Sequence, residues 1–567
     1  MSIVNHLLNS CLLLAAFAAH LVTTGLTSAQ ETGGGTLVVV NARVFGHDDA
    51  DALYVKNGRI EAVGKRSSVE PMAPDGVLRI DAKGGIALPG FHDAHIHMMS
   101  GGLTLVGLNL NDLRSVAAVA QALKTYAREH PGNGWIVGRG WQYDIVPGGQ
   151  FPSRHDIDRV VSDRPVLLDS YDGHSSWVNS LALALGKIDS ATPDPPDGHI
   201  VREVDGSTPS GILLERADAP LQRLIPEPDH ATKLEALHRA VLHCLGLGIT
   251  SVDDITSDLQ VFGLYEELRA AGKLPLRVTV SLPVAGDIDS YEALRRNHAS
   301  PYLRFGFLKG YVDGVIESAT AYMLEPYDGR IDRGAPLLEP DQLQQLIERA
   351  ETHGFTVGLH AIGDAAVRLS LDAFSAVPQR QSTGQIHGRI EHIESLDPAD
   401  LNRFRELHIV ASMMPLHAIP SGETPDEGIW SKNLGAKRLP HSFAWRELLD
   451  AGATLAFGSD WPVMSADPLR GIAVAATRQN EAGQPAGGWN ARQRITAREA
   501  IDAYTAGSAI AIGRGDELGR LTPGFSADLV LLAPDVDLDR PSTLWRGDRI
   551  RYVIVDGIVR FSPGQRP

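Results

Sequence analysis

Residues 84–99 read GGIALPGFHDAHIHMM, an apolar run that closes on two histidines one residue apart. Side chains two apart on a strand project to the same face, so His95 and His97 can reach one metal ion if the run is a strand. Chance supplies such pairs: 21 histidines in 567 residues give about 0.8 His-x-His by accident, so the motif alone is weak. Its place at the end of an apolar run adds weight, because parallel barrels gather their active sites at the C-terminal ends of the strands.

The same arrangement recurs along the chain. GWIVGRG, RPVLLDSY, GITSVDD, RFGFLKGYVDG, FTVGLHAIGD, GRIEHIE, HIVASMMP and ATLAFGSD are apolar runs ending in polar residues. Between several of them lie stretches such as DQLQQLIERAETHG (341–354), with apolar residues three and four apart. This alternation predicts βα units on a parallel sheet. About eight units over roughly 430 residues fit an α/β fold of the closed (β/α)8 barrel type with an insertion better than an open sheet. Lys309, His360, His392 and Asp460 end four of the runs. One histidine ending a strand is usually structural, but six suitable residues at five strand ends point to a metal site.

Two β-rich segments frame this middle. TLVVVNARVF (36–45) and DALYVKNGRIEAVG (51–64) are followed at the far end by ADLVLLAP (527–534) and RYVIVDGIVRF (551–561). Asn57-Gly58 and Asp556-Gly557 are hairpin signals. The expected organisation is a small β-sandwich from residues 34–88 and 517–567 around a barrel of residues 89–516. The Pro-, Gly- and Asp-rich stretch at about 140–230 is read as an insertion near the active site.

Composition narrows the function. Fifty-two Lys plus Arg against 69 Asp plus Glu leave a formal net charge of −17, which disfavours capture of nucleic acid or anionic lipid. A small molecule is the expected partner; oligomeric state is not readable. Residues 1–29 lack Lys, Arg, Asp and Glu, and the apolar run Cys11–Ala19 precedes Thr27-Ser28-Ala29. They read as a cleaved secretory signal, although no basic residue precedes the run. A secreted or periplasmic protein is expected. The run is too short for an ordinary membrane span. Cys11 and Cys244 are the two cysteines, so cleavage would leave one thiol, and Cys244 reads as a buried small hydrophobe.

Neutral imidazoles and a carboxylate suit zinc and similar divalent ions, one or two per chain. A lysine ammonium would repel a cation, so Lys309 must be altered, deprotonated or elsewhere. Carboxylation by CO₂ would make it an anionic bridge between two metals.

From Thr36 to Arg560 the chain resembles the metal-dependent amidohydrolase superfamily, specifically its amidohydrolase 3 branch, the YtcJ-like proteins that include N-substituted formamide deformylase. PGFHDAHIH, DGHSSWVN (172–179), GITSVDD, KGYVDGVIESATAYMLEPY, HAIGDAA, RIEHIE, FGSDWPV, DPLRGI and GRLTPGFSADLVLL carry the resemblance. It implies an eight-stranded barrel plus a β-sandwich from both termini. It also implies roles: His95 and His97 on the more buried metal, Lys309 as a carboxylated bridge, His360 and His392 on the second metal. Asp460 would be ligand and proton acceptor from the hydrolytic water. His174 is expected on the substrate side or polarising the oxyanion, with a structural role as the alternative. Asp93 either orients a histidine or shapes the turn, and Asp313, Asp364 and Glu394 stand beside ligands. Where the family usually has Gln before Pro, SMMPLH (412–417) has Met414, which removes a polar group near the pocket.

The expected reaction is hydrolysis of a carbon–nitrogen amide-type bond, in an N-substituted formamide or other small amide, by metal-activated hydroxide with Asp460 as general base and acid. The alternatives are a cyclic imide, carbamate, ester or lactone on the same centre, or a non-catalytic metal- or ligand-binding barrel.

Overall fold

The computed structural model describes residues 35–562, apart from 112, 143–144, 147–150, 172, 174, 196–197, 298–299, 379–385 and 420–427. Among the described residues eight parallel strands form one sheet in chain order: β1 (Phe91–Ile96), β2 (Ile249–Ile255), β3 (Arg277–Pro283), β4 (Leu303–Tyr311), β5 (Val357–Ala361), β6 (Gly388–His392), β7 (Ile409–Met413) and β8 (Leu455–Phe457). The seam between β8 and β1 is drawn together just past the strands, where Asp460 N–H donates to His95 C=O at 2.7 Å and His97 N–H to Trp461 C=O at 2.9 Å. A Cβ on Gly458 would stand 2.5 Å from the His95 nitrogen, so only glycine admits this approach. The sheet is the expected barrel, but GWIVGRG and RPVLLDSY form Ile136–Trp141 and Val166–Ser170 of a separate sheet, and their place is taken by β3 (RVTVSLP), which the alternation of apolar runs did not single out.

Sheet and helices explain each other. Every residue of β2 (ITSVDDI) is buried, as a strand covered on both faces requires. The helix His230–Gly246 begins at Asp229, whose side chain accepts from Thr232 N–H. It buries Leu237, Ala240, Val241, Cys244 and Leu245, a stripe at helical spacing facing the sheet. Cys244 lies with its sulfur 3.7 Å from that of Met98.

The two termini meet in one sandwich. Leu37–Val40, Ala52–Lys56, Arg59–Gly64 and Leu78–Asp81 form one sheet; Arg43–Val44, Ile86–Pro89, Leu529–Leu532, Ile550–Val555 and Ile558–Phe561 form the other. Alternation divides their side chains: Leu529 and Leu531 pack into the sandwich, whereas Val530 and Leu532 pack against the barrel. Asn57-Gly58 and Asp556-Gly557 hold positive φ at both positions, the geometry a two-residue hairpin turn requires.

A third body separates β1 from β2. Its six strands lie between Leu108 and Glu215, so it begins well before the stretch from 140 marked by composition. The strand Leu108–Asn109 and the helix Val116–Glu129 that open it are not rich in Pro or Gly; composition marked only the later loops.

Candidate metal centre

His95, Lys309, His360 and His392 lie at or near the C-terminal ends of β1, β4, β5 and β6; His97 and Asp460 follow β1 and β8. All converge on the barrel mouth. Asp460 Oδ1 stands 3.0 Å from His97 Nε2 and 3.6 Å from His95 Nε2. The His392 ring centre is 5.0 Å from that of His95 and 4.4 Å from that of His360. Lys309 is buried among them, and its charge acts on all four imidazoles.

One residue was not foreseen. His417, in the short turn Pro415–Ala418 after β7, places Nε2 3.8 Å from Asp460 Oδ2. Two ligand groups therefore share Asp460: His95 with His97, and His392 with His417. Metal bonds of about 2.0–2.2 Å in a tetrahedral site set ligand atoms roughly 3.4 Å apart, and these separations bracket that value. His392 Nδ1 and His417 Nε2 are buried without hydrogen-bond partners. Buried polar atoms normally have partners, and a cation would supply them, so the residues fit a divalent metal. His360 belongs to neither group as it stands: its Nε2 lies 3.2 Å from the Gly314 carbonyl oxygen.

Electrostatics divides the donors: against burial, Asp460 raises His97, and Glu394 with Asp460 raises His417, whereas the other three imidazoles are lowered. Burial, reinforced by the Lys309 charge, lowers His95 to about 3 and His360 to about 4. Burial, with His360 and His95 nearby, takes His392 well below the usual range. These are neutral imidazoles, the form that binds metal. Burial alone would raise the Asp460 carboxyl, but His95, His97 and His392 outweigh it and hold it far below the carboxylate range. Burial lowers Lys309 to about 8, with Arg389 assisting against Glu391 and Asp460.

Backbone and buried charge hold the donors in place. His392, Ile393 and Asp460 have φ of 76°, 50° and 57°, a left-handed conformation costing about 1–3 kcal/mol per residue and concentrated at functional sites. His95 Nδ1 lies 2.9 Å from Glu391 Oε2. Glu391 takes Arg389 Nε at 2.6 Å, and the same guanidinium reaches Asp253 at 2.8 Å and Ser412 Oγ at 2.8 Å. Asp253 in turn meets His92 Nε2 at 2.8 Å. This chain of buried polar groups crosses the barrel interior beneath the candidate ligands. His97 Nδ1 lies 2.8 Å from the Ile255 carbonyl oxygen.

The neighbouring carboxylates have separate tasks. Asp93 accepts from the N–H groups of His95 and Ser459 and from Ser459 Oγ, so it joins the turns that carry His95 and Asp460 and, among the described residues, hydrogen-bonds no imidazole. Asp313 accepts from the N–H groups of Tyr322, Ile362 and Gly363, and Asp364 from Leu324 N–H. Both anchor the loop after β4. Glu394 accepts from Trp430 Nε1 at 2.6 Å and stands 3.7 Å from His417. Met414 is buried. His174 lies outside the described residues. A cavity of about 360 Å³ opens beside the site, lined in part by His97, Met99, Ile255, Lys309 and Tyr311.

Residues 79–561 match the amidohydrolase family. The chain belongs to that family. Putative amidohydrolase YtcJ of Bacillus subtilis is 32% identical over 91% of this chain and 96% of its own length. N-substituted formamide deformylase of Arthrobacter pascens is 29% identical over 93% and 98%. The crystal structure of an uncharacterized metal-dependent hydrolase from Pyrococcus furiosus is 27% identical, with a TM-score of 0.69, and covers 89% of this chain and all of that one. This amidohydrolase is therefore a hydrolytic enzyme acting on carbon–nitrogen bonds.

Proposed function

We propose that this amidohydrolase cleaves small amides, N-substituted formamides foremost, with two divalent metal ions held by His95, His97, His392, His417 and Asp460. The single observation that carries the reading is the Asp460 carboxylate, whose Oδ1 faces His95 and His97 and whose Oδ2 faces His417, so that it belongs to two groups of imidazoles. The relationship to N-substituted formamide deformylase supports the substrate class. Zinc is the metal proposed, two ions per chain, from the nitrogen-rich donor set.

A divalent ion in this site supplies Lewis acidity and lowers the pKa of water to about 7. The chain does the rest. Asp460, kept ionised, takes the proton from the attacking water and delivers it to the leaving nitrogen, a role worth about 10²- to 10⁴-fold. Glu391 fixes the ring and tautomer of His95, and the Ile255 carbonyl those of His97. Lys309, a buried amine with a lowered pKa, reacts with CO₂ as the free base; a C–N bond forms, one proton leaves, and the carbamate adds an anionic ligand. His360 would supply a further imidazole to the metals, and His174 is the residue expected to polarise the substrate. The uncharged N-terminal segment directs the enzyme out of the cytoplasm.

The test is a panel of N-substituted formamides, longer amides and esters, assayed before and after chelation. Chelator-sensitive cleavage of formamides, restored by zinc, is the expected result. Cleavage of esters alone would overturn the substrate assignment.

A further inference from the structure

The opposite end of the barrel carries a second built cavity. Arg277 and Arg304 begin β3 and β4, whose other ends carry Pro283 and Lys309. Beneath them, against the sandwich, lies a cavity of about 470 Å³ lined by Arg59, Arg277, Arg304 and Arg514, with Glu517 and Asp556 as its acidic residues. Four guanidinium groups against these two carboxylates and the Asp528 that pairs with Arg277 leave a local excess of positive charge in a chain whose net charge is −17.

Most of these charges are engaged. Arg277 makes a two-pronged pair with Asp528 at 2.6 and 3.0 Å, and Arg514 donates to Glu517 at 2.5 Å. Arg59 donates to the Gly524 carbonyl at 2.8 Å. Asp556 is met by Tyr302 Oη at 3.3 Å and stands 3.7 Å from Arg277. Arg304 is the exception: half-buried, it has no hydrogen bond or ion pair with any described residue. Burial lowers its pKa, and the Arg514 charge lowers it further. The Glu517 and Asp253 charges oppose these two, and because an arginine does not lose its proton in a protein, Arg304 is a half-buried cation whose guanidinium is left unpaired by direct contact. Ser300 adds a donor, because its oxygen accepts from the N–H groups of Tyr302 and Leu303 and its own O–H remains to be given.

We propose that this cavity binds a small oxyanion of the phosphate type, with Arg304 as its principal contact and Ser300 and the unused N–H groups of Arg59 and Arg514 around it. Planar guanidinium forks match phosphate oxygens in pairs. Arg59 belongs to the sandwich and Arg304 to the barrel, so the anion joins the two bodies and stabilises the folded chain by mass action.

The experiment is calorimetric titration of inorganic phosphate into the metal-loaded, full-length protein at constant ionic strength, with chloride as the reference, paired with the thermal midpoint at each concentration. Wild type should bind with Kd below about 10 mM and unfold at a higher temperature with phosphate than with chloride. Arg304→Gln should weaken binding at least tenfold while keeping metal content and hydrolysis rate, and Arg304→Lys should lie between. Arg59→Gln, at an exposed position, supplies an independent variant expected to weaken binding. No binding by wild type would overturn the proposal. So would undiminished binding by Arg304→Gln, which would place the phosphate at the metal centre.

Discussion

His417 Nε2 lies 3.8 Å from Asp460 Oδ2, on the carboxylate oxygen opposite the one that faces His97. One side chain thus spans two groups of imidazoles, and the short turn after β7 becomes part of the site. Removing His417 separates these groups. His417→Ala should lower bound metal by about one equivalent per chain, by elemental analysis of freshly purified protein, and leave His95 and His97 loaded. An unchanged metal count would remove His417 from the ligand set.

Asp460 serves as both ligand and proton carrier. Asp460→Asn keeps the shape but loses the proton acceptor, and kcat should fall about 10²- to 10⁴-fold. Metal content measured on the same sample separates lost chemistry from lost metal. A variant retaining near-wild-type kcat would show that another group moves the proton.

The buried Arg389 neutralises both Glu391 and Asp253. Arg389→Met strands two carboxylates in the barrel interior, which should cost about 3–5 kcal/mol, read from urea unfolding. Glu391→Gln is milder and should weaken metal affinity about 10- to 100-fold by loosening His95. A stability loss in Arg389→Met no larger than that of an average surface substitution would contradict this account of the network.

The insertion has a pH-dependent element of its own. Burial raises Asp169 to about 6, against the Ser176 hydroxyl and Arg139. The folded chain therefore keeps this proton to a higher pH than the unfolded chain, and stability falls as pH rises from about 4 to 6. Asp169→Asn should abolish that slope and be more stable than wild type at pH 7, by denaturant midpoints at several pH values. Identical slopes in both proteins would refute the assignment.

The barrel strands that bring a polar residue to the site were legible as apolar runs, as at His360, His392 and Asp460; β3 (RVTVSLP), which ends in Pro283, was not, and GWIVGRG and RPVLLDSY show the same pattern although they belong to the insertion's sheet. The hairpins were legible because Asn57-Gly58 and Asp556-Gly557 tolerate the left-handed backbone that the turns impose. His417 was not, since it lies four residues beyond Met413, the last residue of β7, where neither strand alternation nor strand-end position singles it out. Arg389, Glu391 and Asp253 were visible as letters within GRIEHIE and GITSVDD. Their pairing spans 136 residues, and only closure of the barrel brings them together. The insertion began earlier than composition indicated because its first strand and helix have ordinary side chains.

Metal content per chain, measured by elemental analysis together with amide hydrolysis before and after chelation, tests the central claim most directly. Two equivalents of divalent metal, with hydrolysis lost on chelation and restored on reloading, are predicted. Protein that binds no metal and hydrolyses amides unaffected by chelator would contradict it.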